Sequence, residues 1–471
     1  MRASNPVVWL SPLLALATWL FAPAAVGQTC ESSRPTDPQG SQGVSYGSAE
    51  VDSFDADSGR ARIHFAVSGP HAVPAASTLR PGVPDAVVIA AQAADDALDV
   101  YAELGYLAPL GDADSPCGSF GDSDAIDIYL LNFAAADGQA VVDHCRPGLP
   151  QRCAGFVLVE NDFRRGGYAD VAEGMRTVVP HELFHLVQDA YDTGVERWWA
   201  EGSAQWAAKQ VYPELQDLER FLPSYFEVPW RPVNVPPNGV ITSFLYATAI
   251  WPVFLSERFD ACVVREIYEG FGAEPSDVLA TTDVVLQARG SSLPDEYLAF
   301  AAYNAATGDR APDGAGYQQA KSYPQVSLTS LTSGEGVLAS EVGSGLGAFY
   351  YSLDTLTPTE LTLEADATRT AALLIPFSGG KLELLAAKAL PATLAGEGVV
   401  VVAGQTLSST DAPFTLRGTT STPGGDAASP ASSGCSLGNP ASDASWGGAG
   451  AVFGAILLSR RGSRARRLKV P

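Results

Sequence analysis

The segment HELFH, residues 181–185, constrains this chain more than any other part of it. On a helix, residues four apart lie on the same face, with Cβ atoms about 5–6 Å apart. Imidazoles at His181 and His185 can therefore bind one metal ion, and Glu182 between them projects toward the same point. Because the chain has only 5 histidines, we interpret this pair as metal-binding. The alternative is a surface helix with two solvated histidines.

A catalytic metal site of this kind needs a third protein ligand. After the turn at residues 192–194 comes a second helix-forming stretch, and two helices joined by so short a turn run antiparallel. His185 and Glu201 lie equally far from Thr193, so at the helical rise both lie about 12 Å from the turn. Glu201 is therefore the predicted third ligand, and Glu196, more than one turn lower, ranks behind it. The alternative for Glu201 is an exposed glutamate at a helix start.

HELFH and the later string WAEGSA, residues 199–204, together resemble the gluzincins. In that class the first motif supplies two zinc ligands and a later helix supplies a glutamate. The string HELFHLVQD is also similar to the thermolysin-type form of the first helix. Over residues 62–310 the chain resembles the secreted zinc metalloproteases of myxobacteria, although the spacing from His185 to Glu201 is shorter than in many gluzincins. The other matching segments are residues 62–69, 84–106, 124–133, 245–259 and 303–310.

The resemblance implies roles for particular residues. His181, His185 and Glu201 would bind one catalytic Zn²⁺, and Glu182 would act as general base and then general acid. A donor to the developing oxyanion is also needed. Tyr246 begins the apolar segment LYATAIWPVFL and is similar in placement to the tyrosine donor of aminopeptidase-type gluzincins. The alternative for Tyr246 is a core aromatic residue.

Three features near the motif each have two interpretations. His144 is an alternative ligand or donor for the site, or a satisfied loop histidine. The strand-like segment 155–160 would bind an extended peptide if it is an exposed edge, but a core strand has the same pattern. A group of aspartates offers oxygen ligands for Ca²⁺, or forms a solvated acidic loop. These aspartates are Asp112, Asp114, Asp122, Asp124 and Asp127.

Composition and charge restrict the class of partner. The chain has 471 residues, which is room for two or three domains, and its 46% hydrophobic and 17% charged content is typical of a folded globular protein. The net charge of −24 argues against nucleic-acid binding, because phosphate recognition needs clustered Lys and Arg. The expected partner is instead a protein or peptide substrate.

The N-terminus predicts export. Arg2, the apolar stretch 7–21 and the small residues at 25–27 have the order of a secretory signal peptide spanning residues 1–27. Export permits disulfide bonds. Cys145 and Cys153 are close in sequence and flanked by turn residues, so they are the favoured pair. Cys117 is a rival partner, and Cys30 with Cys262 is a possible second pair.

The C-terminus predicts attachment to the cell surface. Residues 419–445 are rich in Ser, Gly, Pro and Ala, which is typical of a flexible linker. Residues 446–458 are uncharged and mostly apolar, and a basic cluster completes the segment 446–471. The order Gly434-Cys435, short hydrophobic helix, Arg-Arg is similar to the MYXO-CTERM sorting signal of myxobacterial surface proteins. That resemblance implies processing at Cys435; an ordinary membrane anchor is the alternative.

The pattern along the chain predicts an α+β protein. Residues 28–58 are interpreted as a linker or short pro-segment. Residues 59–314 are predicted to form a zincin-like catalytic domain with a mixed sheet and an active-site helix hairpin. Residues 326–416 contain short apolar runs separated by turn residues, which is typical of a small β-sandwich. A C-terminal hydrophobic anchor completes the predicted architecture.

These features favour a zinc-dependent peptidase acting on extracellular protein or peptide substrates. The alternative is a cell-surface binding or structural protein that keeps a non-catalytic zincin fold. The intact Glu182 favours catalysis, because a purely structural metal site has no use for a base beside the metal. A zinc hydrolase acting on another amide or ester would have the same ligands and is a third alternative.

Overall fold

The computed structural model describes residues 33–420, apart from 114–120, 122, 134–135, 149, 239–242, 273–276 and 408–409. The predicted signal peptide and anchor segment lie outside these residues, as does the predicted linker from residue 421 onward. Within the described part of the chain, no helix is both long enough and apolar enough to cross a membrane. The protein is mixed α+β, as the sequence predicts, with two separate sheets.

A mixed sheet forms first along the chain. Its described strands lie in the order β1-β2-β3-β5-β4, with β2, β3 and β5 parallel and the two edge strands antiparallel to their neighbours. These strands are Val51–Asp55 (β1), Ala61–Ala66 (β2), Ile126–Leu131 (β3), Gly138–Arg146 (β4) and Arg152–Glu160 (β5). The sequence segment 155–160 therefore lies inside the sheet, and an edge position for it is wrong. Residues 156–159 are all buried, as expected of a strand covered on both faces.

The N-terminal segment covers one face of this sheet. The Tyr46 hydroxyl donates hydrogen bonds to the backbone oxygens of His64 (3.0 Å) and Leu130 (2.7 Å). Its ring packs in a cluster with Phe156 and Leu158. Strand β1 also belongs to the region that the sequence suggests is a linker or pro-segment. The described part of that region, residues 33–58, is therefore built into the fold.

Helices cover the opposite face of the first sheet and continue the chain. The hairpin helices α2 and α3 pack beside α1, and Gly202 allows α3 to approach the chain that follows α6. A Cβ atom at Gly202 would collide with the Thr248 side chain and lie 3.1 Å from the Ala249 nitrogen. The described helices are Asp85–Glu103 (α1), Val171–Asp189 (α2), Arg197–Val211 (α3), Asp217–Phe221 (α4), Pro223–Phe226 (α5), Ser243–Ala247 (α6), Ile250–Arg258 (α7), Cys262–Glu269 (α8), Val278–Ala288 (α9) and Leu293–Ala305 (α10).

Helix α2 has local signals at both ends. Asp170 accepts a hydrogen bond from the Glu173 nitrogen at 2.9 Å and caps the start of the helix. Beyond the helix, Asp192 accepts a hydrogen bond from the Gly194 nitrogen at 2.9 Å and holds the turn toward α3. Because α2 is buried on nearly all sides, the positions of its side chains are set by packing against the sheet and its neighbouring helices.

A second sheet follows the helices. Its main path is β10-β9-β12-β8-β13-β7, while β11 pairs with β9 and β6 pairs with β8. The strands are Thr329–Ser330 (β6), Gly336–Ser344 (β7), Ala348–Ala365 (β8), Thr370–Ser378 (β9), Lys381–Leu382 (β10), Lys388–Ala389 (β11), Ala392–Gly404 (β12) and Asp411–Thr420 (β13). They form one hydrogen-bonded network, and the β-sandwich interpretation of residues 326–416 stays a prediction.

The second sheet packs directly on the helical region. Val399 and Val401 of β12 face the main core with α10, whereas Val400 and Val402 face a separate cluster within the sheet. This alternation follows from the two-residue repeat of a strand. The Ala348 nitrogen also donates a hydrogen bond to the Pro229 oxygen at 2.8 Å. The apolar face of the sheet is thus part of the same core as the helices.

The favoured disulfide is present. Cys145 and Cys153 lie opposite each other on β4 and β5 and are bonded. Among the described residues the thiol of Cys262 is free, and the possible second pair with Cys30 stays a prediction. Cys30, Cys117 and Cys435 lie outside the described residues. The observed bond links the edge strand β4 to the interior of the sheet.

Glu257 on α7 provides a test of the helical packing. Burial raises the pKa of its carboxyl to about 7 from 4.5, opposed in part by a hydrogen bond from the Gln318 nitrogen. A raised acid pKa means that wild-type stability falls as pH rises from 4.5 to about 7. We expect the free energy of unfolding of Glu257→Gln to rise by about 2 kcal/mol relative to that of wild type between pH ~5 and pH ~8. Urea unfolding at both pH values, with the exposed Glu103→Gln as control, measures this; equal shifts in both variants would contradict it.

Candidate metal centre

Helices α2 and α3 bring three predicted ligands to one point. The Nε2 atoms of His181 and His185 are 3.2 Å apart, and the Oε2 atom of Glu201 lies 3.3 Å from the first and 3.6 Å from the second. Their ligand atoms all lie within 4.8 Å of one another, and no other group of this kind is found among the described residues. The antiparallel hairpin thus places Glu201 beside His185, as the spacing from the turn predicts.

Gln188 orients the imidazole of His185. Its Nε2 atom donates to the Ala200 oxygen at 2.8 Å, and a carbonyl can only accept, so the amide oxygen must face the histidine. That oxygen lies 2.9 Å from Nδ1 of His185. Nδ1 is therefore the protonated donor, and Nε2 of the neutral ring presents its lone pair to the centre. Ser203 also accepts from Gln188, at 3.2 Å, and holds the amide in place.

The charges of the centre are strongly coupled when no metal is bound. Burial alone would lower the pKa of His185, but its hydrogen bond to Glu201 and the nearby carboxylates raise that pKa to about 10. Burial would raise the pKa of Glu201, but hydrogen bonds from the two histidines hold it well below its usual range. The metal-free centre therefore holds a proton between His185 and the carboxylate.

The residues fit a divalent metal ion. Two imidazole nitrogens and one carboxylate oxygen converge within 3.2–3.6 Å, a crowding of acceptors that only a cation or a proton between them can relieve. Two His and one Glu form the ligand set of catalytic zinc sites, and one such site keeps a position open for water or substrate. Binding would displace the proton described above, so affinity for the metal would fall at low pH.

Glu182 lies beside the three ligands, under the edge strand β4. It is 8% exposed, and burial raises the pKa of its carboxyl, opposed by the two histidines and a backbone hydrogen bond from Ala140. A Cβ atom at Gly138 would lie 2.7 Å from Cγ of Glu182. Glycine at this position therefore lets β4 approach the glutamate closely, and the carboxyl occupies a site suited to accepting and returning a proton.

Tyr246 lies at the rim of the same centre. Its ring centroid is 5.7 Å from that of His181 and 4.7 Å from that of Phe221. Burial and the charges of Glu201 and Glu182 raise the pKa of the phenol well above its usual value, so the hydroxyl stays protonated and can donate. Tyr246 thus lies near the predicted ligands and packs against an aromatic residue, and its role as a donor stays a prediction.

A cleft runs past the centre on both sides. It consists of two adjoining cavities of about 1110 and 340 Å³. Both are lined by Gly138, Glu182, Arg197 and Tyr246, so these residues mark the junction. The first residues of the edge strand β4 form one wall of the cleft. Among the described strands, none pairs with the outer edge of β4, so an extended peptide could pair there.

The other candidates lie away from the three ligands. His144 is on β4 opposite Ala154 and is outside the metal group. Glu196 accepts a hydrogen bond from the Val278 nitrogen at 3.2 Å and is also outside it. Sequence reasoning did not find Gln188, whose only signal was its position three residues after His185 on the same helix face.

The aspartates considered for Ca²⁺ are engaged by protein groups. Arg34 pairs with Asp112 and Asp127, both at 3.2 Å, and with Asp143 at 2.6 Å. Asp124 accepts a hydrogen bond from the Ala113 nitrogen at 3.1 Å. Asp114 and Asp122 lie outside the described residues. A buried guanidinium thus balances the charge of two of these five aspartates, Asp112 and Asp127.

Comparisons with known proteins add little to this picture. No protein-family model and no curated protein matches the chain. The periplasmic inhibitor of g-type lysozyme PliG from Salmonella Typhimurium is 12% identical, with a TM-score of 0.14, over 20% of this chain and 100% of that one. A mutant of the Escherichia coli PliG protein is 10% identical, with the same TM-score and the same coverage of both chains. At these TM-scores the likeness carries no argument about fold or function.

Proposed function

We propose that this protein is a zinc-dependent peptidase of gluzincin type that acts on extracellular proteins or peptides. The observation that carries the proposal is the convergence of His181, His185 and Glu201 with the carboxyl of Glu182 beside them. A structural metal site would have no use for a buried, titratable carboxyl at that place. The cleft supports the proposal further, because it gives an extended chain access to the centre along β4.

Each residue of the centre would have one role in the reaction. His181, His185 and Glu201 would hold the zinc ion, and Gln188 would keep His185 in the binding tautomer. Zinc, when bound, would supply Lewis acidity and lower the pKa of a coordinated water to about 7. Glu182 would take a proton from the attacking water and pass it to the leaving amine. The Tyr246 hydroxyl would donate to the oxygen of the substrate carbonyl.

The zincin-like architecture and the surface location are parts of the same proposal. The mixed sheet with an antiparallel edge strand beside the motif helix supports a zincin-like domain. The Cys145–Cys153 bond is in keeping with export, because disulfides persist in oxidising compartments. A signal peptide over residues 1–27 and a C-terminal sorting signal or anchor would then display the enzyme at the cell surface.

The proposal is tested with purified protein. We expect one zinc per chain by elemental analysis, hydrolysis of denatured casein, loss of hydrolysis with a chelator, and recovery on adding zinc. The absence of bound zinc after reconstitution would contradict the proposal. Bound zinc without hydrolysis of casein or of any member of a peptide library would favour the surface binding protein, and hydrolysis of simple esters alone would favour another hydrolase.

Tyr246→Phe tests the assignment of the oxyanion donor. Removing one such donor typically costs 10²–10³-fold in kcat, because the interaction strengthens only as charge develops on the substrate oxygen. We expect a loss of at least about 10²-fold in kcat with KM changed little. The phenylalanine ring keeps the contact with Phe221. Phe221→Leu, which disturbs that contact and keeps the hydroxyl, is the control; equal losses in the two variants would assign Tyr246 a packing role.

A further inference from the structure

The larger cavity beside the centre contains a carboxylate without a cationic partner. Asp137 precedes β4 directly and lines this cavity. Its Oδ2 atom accepts a hydrogen bond from the Tyr168 hydroxyl at 3.3 Å. Among the described residues, no Lys or Arg forms an ion pair with it. Within the part of the chain that the structure describes, the side chain of Asp137 in the cleft thus receives one long hydrogen bond and no ion pair.

Arg220, an arginine on the cavity wall, interacts with other groups. Arg220 pairs with Asp217 at 3.1 Å, donates to the Gly166 oxygen at 3.2 Å, and lies 5.4 Å over the ring of Tyr168. Asp217 also accepts from Gln205 at 2.7 Å, so this aspartate is satisfied and its charge is balanced. Arg197, at the junction of the two cavities, is exposed and forms no ion pair with either aspartate in the described structure.

Thr177 lies on the wall of the same cavity, four residues before His181 and one helical turn away on the same face of α2. It is 6% exposed, and among the described residues its hydroxyl has no hydrogen-bond partner. The hydroxyl oxygen is itself enclosed by protein, so Thr177 contributes to the wall of the cavity and not a hydrogen bond to a ligand.

The remaining walls of the cavity suit the aliphatic part of a substrate side chain. Val178, Phe221 and the rings of Tyr168 and Tyr246 also line the cavity. Lysine and arginine have this combined character: methylene stems that pack on apolar and aromatic surface, and a cationic head with several donors. A neutral side chain would leave the carboxylate of Asp137 desolvated and without a partner when the cleft fills.

We propose that this cavity binds a lysine or arginine side chain of the substrate close to the scissile bond, and that Asp137 determines this specificity. The inference rests on the proposed peptidase function and adds a substrate class to it. Its consequence is a peptidase selective for basic residues, in which the Asp137 carboxylate binds the cationic head. The aromatic rings hold the stem.

The test uses internally quenched peptides in which one position at a time carries lysine, arginine, norleucine or glutamate. Norleucine matches the lysine stem without its charge. We expect kcat/KM for lysine or arginine to exceed that for norleucine by at least about tenfold at one position. Asp137→Asn should reduce this ratio to below about threefold, and Asp137→Lys should shift the preference toward glutamate. Asp52→Asn removes the same charge from the exposed strand β1 and should leave the ratio unchanged.

Peptide binding provides a readout without turnover. Fluorescence anisotropy with the zinc-loaded Glu182→Gln variant should show a similar ratio of Kd values for the lysine and norleucine peptides, again lost in the double variant with Asp137→Asn. If the lysine and norleucine peptides are cleaved equally and bound equally, the proposed specificity is wrong. Zinc-dependent cleavage of both peptides would still support the proposed peptidase function. If no peptide is cleaved, the proposed function fails, and the binding ratio alone decides whether the cavity selects a cation.

Discussion

Replacing Glu182 with glutamine is expected to lower kcat/KM for a protein substrate by about 10²–10⁴-fold while the protein keeps one zinc ion. Glutamine has nearly the same shape as glutamate, but its amide cannot accept and return a proton. Because the carboxyl is buried under Gly138, no solvent group can easily take its place. Kinetics with a quenched peptide and elemental analysis of the same sample measure both parts of the prediction.

The activity and zinc measurements together distinguish a catalytic role of Glu182 from a structural one. Glu182 is outside the ligand group, so loss of the proton acceptor should leave the zinc content of the variant equal to that of wild type. Glu103→Gln on the exposed end of α1 is the matched control and should be fully active. Full activity in Glu182→Gln would rule out the general-base role. Loss of zinc together with activity would show instead that Glu182 supports the metal site.

Replacing Glu201 with glutamine is expected to weaken zinc binding by about 10²-fold or more. Changing groups that only support a ligand typically costs 10–100-fold in affinity, and here an anionic ligand itself is lost. The variant should also release the proton held near His185 at lower pH, since the carboxylate raises the pKa of that histidine. Competition with a fluorescent zinc indicator at neutral pH gives the affinity.

Glu196→Gln is the matched control for this second prediction. Glu196 directly precedes the same helix, has the same chemistry and was the other carboxylate near the turn, but it accepts a hydrogen bond from the Val278 nitrogen instead. We expect its zinc affinity to stay within about twofold of wild type. A larger loss of zinc affinity in Glu196→Gln than in Glu201→Gln would identify Glu196 as the third ligand. It would also mean that the helix hairpin adopts a different arrangement when metal is bound.

Local geometry explains why much of the centre is predictable. His181 and His185 share a helix face because of the helical repeat alone, and no distant contact is needed to bring them together. The position of Glu201 follows almost as directly, because a short turn leaves two antiparallel helices in register. The disulfide between Cys145 and Cys153 was suggested for the same reason, since the two residues lie close together in sequence.

Long-range contacts explain what was missed. The order of strands in a sheet depends on pairings between distant segments, so the sequence could not tell that β4 and not β5 forms the edge. Arg34 pairs with aspartates from three other parts of the chain, which no local spacing reveals. The same holds for Asp137, whose lack of a cationic partner among the described residues is visible only in the folded structure.

The sequence by itself determined that His181, His185 and Glu201 lie together, because residues one helical turn or one short hairpin apart have nearly fixed separations. Only the tertiary structure decided which strand borders the centre, which amide orients His185, and which charges face the cleft. These depend on contacts between segments that lie far apart in the chain, and many such pairings are compatible with the same local pattern until the core is packed.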